Sequence, residues 1–193
     1  MISFDDVSYC IYDRKVFCNI SLTILSASIT YLEGLNGSGK TSLLRLIAGI
    51  QRPTSGKIIL SSSKLNYIGH NLGIKTDLSV YENIKFWADL YNTPNAVDIA
   101  IEYFNLNNVL YQKCYTLSAG NCKKIALTRL ICCPADIWLL DEIFVNLDDN
   151  TTQLIQNLIT AKANSGGVVI IASHAKPNIK PFQVINMKDY LRI

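Results

Sequence analysis

The chain is 193 residues long, 49% apolar and 17% charged, with a formal net charge of +3. That length fits one domain, or one domain with a small lobe, and suffices to bury most of its surface, while the composition excludes a disordered chain. The charge is mild and forms no dense basic block, so no nucleic acid partner is expected.

Mean hydropathy is high, at +0.20. Even so, no uninterrupted apolar run approaches the roughly 20 residues that a membrane span needs. The chain itself is therefore not expected to cross a bilayer, though surplus apolar surface could still dock against something that does. MISFDDVSYC carries acids and no basic n-region, so no signal or transit peptide is expected there. Six cysteines, Cys10, Cys18, Cys114, Cys122, Cys132 and Cys133, lack the C-x-x-C spacing of a zinc or redox site and read as small buried thiols.

Residues 1–32 read as short β segments, including ISFDDVSYCIY and SLTILSASITYL, the latter ending at a glycine-rich turn. TSLLRLIAG then places Leu43, Leu44, Ile47 and Ala48 at helical spacing, with Gly49 as its stop. RPTSG is a turn and KIIL a strand. NLGIKTDLSVYENIKFWADLY and AVDIAIEYF, parted by NTPN, read as amphipathic helices within a helical insert spanning 70–127. ADIWLL is a buried strand that runs into two acids. TTQLIQNLITAKANSGG is a helix with a glycine stop, and GVVIIAS is a strand apolar on both faces. Strands alternating with helices imply an α/β fold with a parallel or mixed sheet.

Gly34-Leu35-Asn36-Gly37-Ser38-Gly39-Lys40-Thr41 fits G-x-x-x-x-G-K-[ST] between a strand and a helix. Backbone N–H groups can surround a phosphate only where no Cβ blocks them and φ > 0 is allowed, which is what the glycines supply. The helix that follows points its unpaired N–H groups and positive dipole end at the same place. Lys40 is expected on the β- and γ-phosphates and Thr41 on Mg²⁺, with Ser42 completing the phosphate-binding set. Asp141, carried to the sheet edge by IWLLDE, is the second candidate for Mg²⁺. Glu142, next along, is the candidate base that polarises water for attack on the γ-phosphate. His174 follows the strand after the acid-bearing one and is expected at the same edge. In LSAG, Ser118 and Gly120 form a second anion-binding helix start.

GLNGSGKT, LSAGN, IWLLDE, NLDD and ASHA, in that order, resemble the ATP-binding subunits of ABC transporters over essentially the whole chain. The resemblance implies a single ATP-binding domain, with 1–69 and 128–193 as nucleotide-binding core and N-terminal antiparallel β part, and 70–127 as the helical subdomain carrying the signature. It implies ATP hydrolysis with Mg²⁺ in a homodimer that sandwiches nucleotide, so that Ser118 and Gly120 act on the partner's ATP. Glu142 then matches the base, His174 the switch histidine, and Asp148 the loop that communicates across the dimer. Tyr12 matches the aromatic that stacks on adenine, with Tyr9 as a substitute and a plain strand tyrosine as the competing reading of either. There are three departures. His70 stands at the usual glutamine position, where a neutral imidazole can still contact water or metal. Asn121 replaces the signature glutamine, and Ile143 stands where a proline often follows the glutamate.

GH followed by GIKTDLSVYENIKF, LSAG for LSGG, and the short chain are similar to the cytochrome c maturation protein A subfamily, the ATP-binding subunits of the haem exporter. That implies integral membrane subunits as partners and a peripheral place on the cytoplasmic face of a bacterial inner membrane. The alternatives are another ABC exporter or a soluble ABC-type ATPase acting on translation or DNA. Those soluble ATPases usually carry two cassettes or a long coiled-coil insert, and this chain has neither. A nucleotide-gated module without turnover leaves Glu142 and His174 unexplained, and a small-molecule kinase leaves LSAG without a purpose.

Overall fold

The computed structural model describes residues 1–173 and 178–191. Strands β1 (Ile2–Ile11), β2 (Arg14–Ile24) and β4 (Ser55–Leu60) form an antiparallel sheet with β1 in the middle. Strands β3 (Ser28–Glu33), β5 (Leu65–Ile68), β6 (Ile137–Asp141), β7 (Val168–Ala172) and β8 (Gln183–Asn186) form a second sheet in the order β5-β6-β7-β3-β8, with every pair parallel. This is the α/β core with an N-terminal antiparallel part that the sequence implied.

The α-helices among the described residues are α1 (Lys40–Ile47), α2 (Val80–Leu90), α3 (Ala96–Tyr103), α4 (Ala119–Leu127), α5 (Arg129–Cys132) and α6 (Asp149–Asn164). Among the described residues no helix is long and apolar enough to cross a membrane.

The central strands β6 and β7 are buried at every position. Their alternation divides the interior into two cores. Leu139, Ile170 and Leu32 face α1 and the antiparallel sheet, where they meet Leu43, Phe4 and Phe17. Leu140, Ile171 and Tyr31 face the other way, onto α6 and the helices of the 70–127 segment, where they meet Ile155, Ile84 and Ile125. A strand buried on both faces has no polar side to alternate with, hence the continuous apolar runs IWLL and VVIIA.

Three features depart from the expected elements. SLTILSASITYL is not one strand: β2 ends at Ile24, Ala27 takes φ 55°, and Ser28 begins β3 in the other sheet. The helix expected from Asn71 begins only at Val80. Ser79 and Glu82 close a capping box there, Ser79 Oγ accepting from Glu82 N–H at 3.2 Å and Glu82 Oε2 from Ser79 N–H at 2.7 Å. Buried Asn83 ties the irregular stretch before it, accepting from Lys75 N–H at 2.9 Å and donating to Lys75 O at 3.0 Å. Strands β5 and β8, four residues each, were not anticipated. All six cysteines are free thiols, but only Cys114, Cys132 and Cys133 are buried. Burial pushes the Cys132 and Cys133 thiols up to about 12 and about 11.

Ser79→Ala removes the side-chain half of the box and is expected to cost about 1 kcal/mol of stability. Urea unfolding should show this as a lower midpoint with an unchanged slope.

Candidate functional site

Five parallel strands bring five carboxyl-terminal ends to one edge. Leu32 of β3 and Asp141 of β6 both pair with Ala172 of the intervening β7, so they stand level. On the other side of β3, Glu33 pairs with Asn186 of β8. The glycine turn, the two acids, Ser173 and Met187 therefore all leave the sheet together.

Within the turn, Gly37 and Gly39 adopt φ 78° and 95°. A Cβ on Gly39 would lie 2.8 Å from Val16 and 2.9 Å from the Phe17 ring, so this position needs glycine for space as well as for conformation. Gly39 also precedes α1 as its N-cap, with no side-chain cap and no acid in the first turn. The first turn of the helix thus supplies no acidic side chain of its own to its positive end. Lys40 is buried and folds back, donating to Gly34 O at 2.8 Å and Leu35 O at 3.1 Å. Ser38 is buried with an unpartnered hydroxyl.

A cavity of about 730 Å³ opens on this turn, within the range of small-molecule sites. Asn36, Gly37, Ser38, Gly39, Lys40, Thr41 and Ser42 line one side together with Glu142, and the β1–β2 hairpin forms another wall. Gly34 and Leu35 do not line it. They contribute the carbonyls that hold Lys40, and the Leu35 side chain points outward, 69% exposed. At the hairpin tip Tyr12, 97% exposed with φ 52°, stands at the cavity rim. Tyr9 packs against Phe17 with ring centroids 5.9 Å apart and is not part of the lining, so the structure separates the two tyrosines.

Asp141 is 3% exposed. Its Oδ2 accepts from the Tyr67 hydroxyl at 3.4 Å, and its Oδ1 has no hydrogen-bond partner. Burial pushes this carboxyl up from its ordinary value and the charge of Glu142 adds to the rise, while the Thr41 hydroxyl, Tyr67 and Arg45 pull it down. A buried carboxylate oxygen left open beside a threonine hydroxyl fits a hard divalent cation. Among the described residues no three His, Cys, Asp or Glu side chains converge as a self-contained metal site. The donor set suits Mg²⁺, which takes few protein oxygens and fills its shell with phosphate and water. His70 does not join this pair. It is exposed and borders a second cavity of about 350 Å³, which includes Asn36, Ala119, Lys123 and Glu142 but neither Thr41 nor Asp141.

Glu142 borders both cavities. It adopts φ 53°, a conformation that costs a side-chain-bearing residue roughly 1–2 kcal/mol. Its N–H donates to Ala172 O at 2.7 Å and its carboxylate accepts from Ser173 Oγ at 3.5 Å. His174 lies outside the described residues.

Ser118 is exposed and caps α4, accepting from Asn121 N–H at 3.3 Å. Ser118 and Gly120 line neither cavity of their own chain. Asp148 is the N-cap of α6, accepting from Thr151 N–H at 2.6 Å and pairing with Lys124 at 3.2 Å. The Thr151 N–H, with help from Lys124, holds its carboxyl at about 2. Ile143, at the position without a functional account, is fully buried in the larger core. Sequence reasoning missed Tyr67, which rides on the unexpected β5, and Leu191, which lines the larger cavity. It also missed Lys123, although two lysines directly after LSAGNC were a visible signal.

The family model for ABC transporters matches residues 17–145. The cytochrome c biogenesis ATP-binding export protein CcmA of Rickettsia bellii is 47% identical, over 97% of this chain and all of that one. A putative ABC transporter ATP-binding protein from Pyrococcus furiosus superposes with a TM-score of 0.84 at 25% identity, covering 98% of both chains. A dimeric ATP-binding cassette in a post-hydrolysis state with ADP and phosphate shares the fold, with a TM-score of 0.79 at 18% identity over 91% of this chain and 88% of that one. With the glycine turn, the buried aspartate and the parallel sheet in these positions, the chain belongs to the ABC transporter ATP-binding family, among the cytochrome c biogenesis ATP-binding export proteins.

Proposed function

We propose that this chain is the ATP-hydrolysing subunit of an export complex of cytochrome c biogenesis, with haem as the exported group. The observation that carries the hydrolytic part is the pairing, at one sheet edge, of the glycine turn and Lys40 with a buried Asp141 that has one oxygen open. The export part rests on kinship with the Rickettsia protein.

The N–H groups of residues 36–41 and the Lys40 ammonium hold the phosphate tail, and Tyr12 stacks on the base at the rim. Thr41 and Asp141 would hold Mg²⁺, which neutralises phosphate charge when bound; His70, apart from them, is left as a group that contacts water near Glu142. The Glu142 carboxylate takes the proton from the attacking water, and His174 contacts the γ-phosphate. Ser118 and Gly120, which line neither cavity of their own chain, close over the nucleotide of a second copy. Binding two nucleotides between two copies gives closure its differential energy, and hydrolysis removes it. Residues 70–127 carry the motion to integral membrane subunits from the cytoplasmic face of the bacterial inner membrane.

Glu142→Gln is expected to lower ATP turnover by roughly 10²–10⁴-fold. MgATP binding should persist, and size exclusion should show an ATP-dependent dimer; an unchanged rate removes Glu142 from its role. Lys40→Ala is expected to weaken MgATP binding at least tenfold, the scale of one charge-assisted contact, as read by calorimetry. Affinity capture from solubilised membranes should recover an integral membrane subunit, whereas ribosomes without such a subunit would reject the export reading.

A further inference from the structure

The turn that follows β6 has a conformation its own residues do not favour. Glu142-Ile143-Phe144-Val145-Asn146 contains no glycine, yet Glu142 and Asn146 take φ 53° and 60°. Such a turn persists only when its surroundings impose it. From below, Ile143 and Phe144 are buried in the core and Glu142 N–H is held by Ala172 O. From the side comes α4. The Lys123 ammonium donates to Glu142 O at 2.6 Å and to Val145 O at 3.0 Å, bridging both ends of the turn. One residue on, Lys124 pairs with Asp148 at 3.2 Å, and Gly120 faces Asn146 O, with a Cβ there falling 3.7 Å from it. The helix that begins at Ser118 is therefore fastened to residues 142–148 by two successive cations.

We infer that Lys123 is a positioning residue for Glu142. Its ammonium fixes the left-handed turn that aims the Glu142 carboxylate into the nucleotide cavity. It also makes the signature-bearing helix and the base one mechanical unit. An ammonium has three donors in a tetrahedral array, so it can hold two carbonyls at once, which no apolar side chain can do. The small cavity edged by Lys123, Ala119 and Glu142 puts this clamp beside the signature segment, which in the proposed dimer closes over the nucleotide of a second copy. A push on Ser118 and Gly120 then reaches the base through a single side chain rather than through the whole helical segment. The inference rests on the reading of Glu142 as the base.

The test is steady-state ATPase kinetics of the assembled complex, with calorimetric ATP affinity and thermal melting of the full chain, for Lys123→Met, Lys123→Gln and Lys123→Arg. Met keeps the stem and removes all donors, Gln keeps one amide group on a shorter stem, and Arg keeps charge and donors. The expected result is a kcat loss of roughly 10–100-fold in Met, less in Gln and least in Arg. ATP affinity should stay within about twofold throughout. A kcat in Lys123→Met within twofold of wild type overturns the inference, as does a parallel loss of kcat and ATP affinity that Arg does not relieve. Should Met fail to fold, the ordering of Gln and Arg decides by the same criteria. A wild-type complex that binds ATP without turning it over would remove the reading of Glu142 and the inference with it.

Discussion

The site depends on a register. Residues far apart in the chain meet because β3 and β6 flank β7 in parallel, with Leu32 and Asp141 both opposite Ala172. A shift of one residue on either side would turn Asp141 onto the other face of the sheet. The lock is hydrophobic. Each central strand sends alternate residues into two separate cores, so slippage would misplace apolar groups on both faces at once. The apolar character of IWLL and VVIIA is thus the reason the acids are where they are.

Two opposite electrostatic stresses are built into that edge. On one side the start of α1 and the buried Lys40 gather positive charge, and the carbonyls of Gly34 and Leu35 accept from the Lys40 ammonium. On the other, Asp141 and Glu142 sit side by side, and burial makes the Asp141 charge costly to hold. A polyanion accompanied by a divalent cation relieves both stresses together, and either component alone relieves one.

The glycine turn, the acids and the apolar strands were legible because backbone geometry restricts which residues serve there: Gly39 has no room for a Cβ, and Asp141 must end a buried strand. Strands β5 and β8 were not legible, since four residues carry too little periodicity to separate from loop. The start of α2 was misplaced because the apolar spacing of GIKTDL imitates a helix, whereas the capping box at Ser79 and Glu82 decides where one can begin. Tyr67 and Lys123 make their hydrogen bonds to partners distant in sequence, and spacing carries no trace of those. His70 was grouped with the metal from its place in the motif order, while its exposure and its cavity group it with Glu142.

The closeness of Val16 and Phe17 to Gly39, which leaves no room for a Cβ, has a further consequence. The strand that presses on the phosphate end of the cavity is the one whose hairpin carries Tyr12 at the other end. The antiparallel sheet is thus a bracket: the hairpin at the cavity rim runs directly into the strand that flanks the turn. A shift of β2 along its own axis would carry the rim of the cavity and the wall of its glycine turn in the same direction.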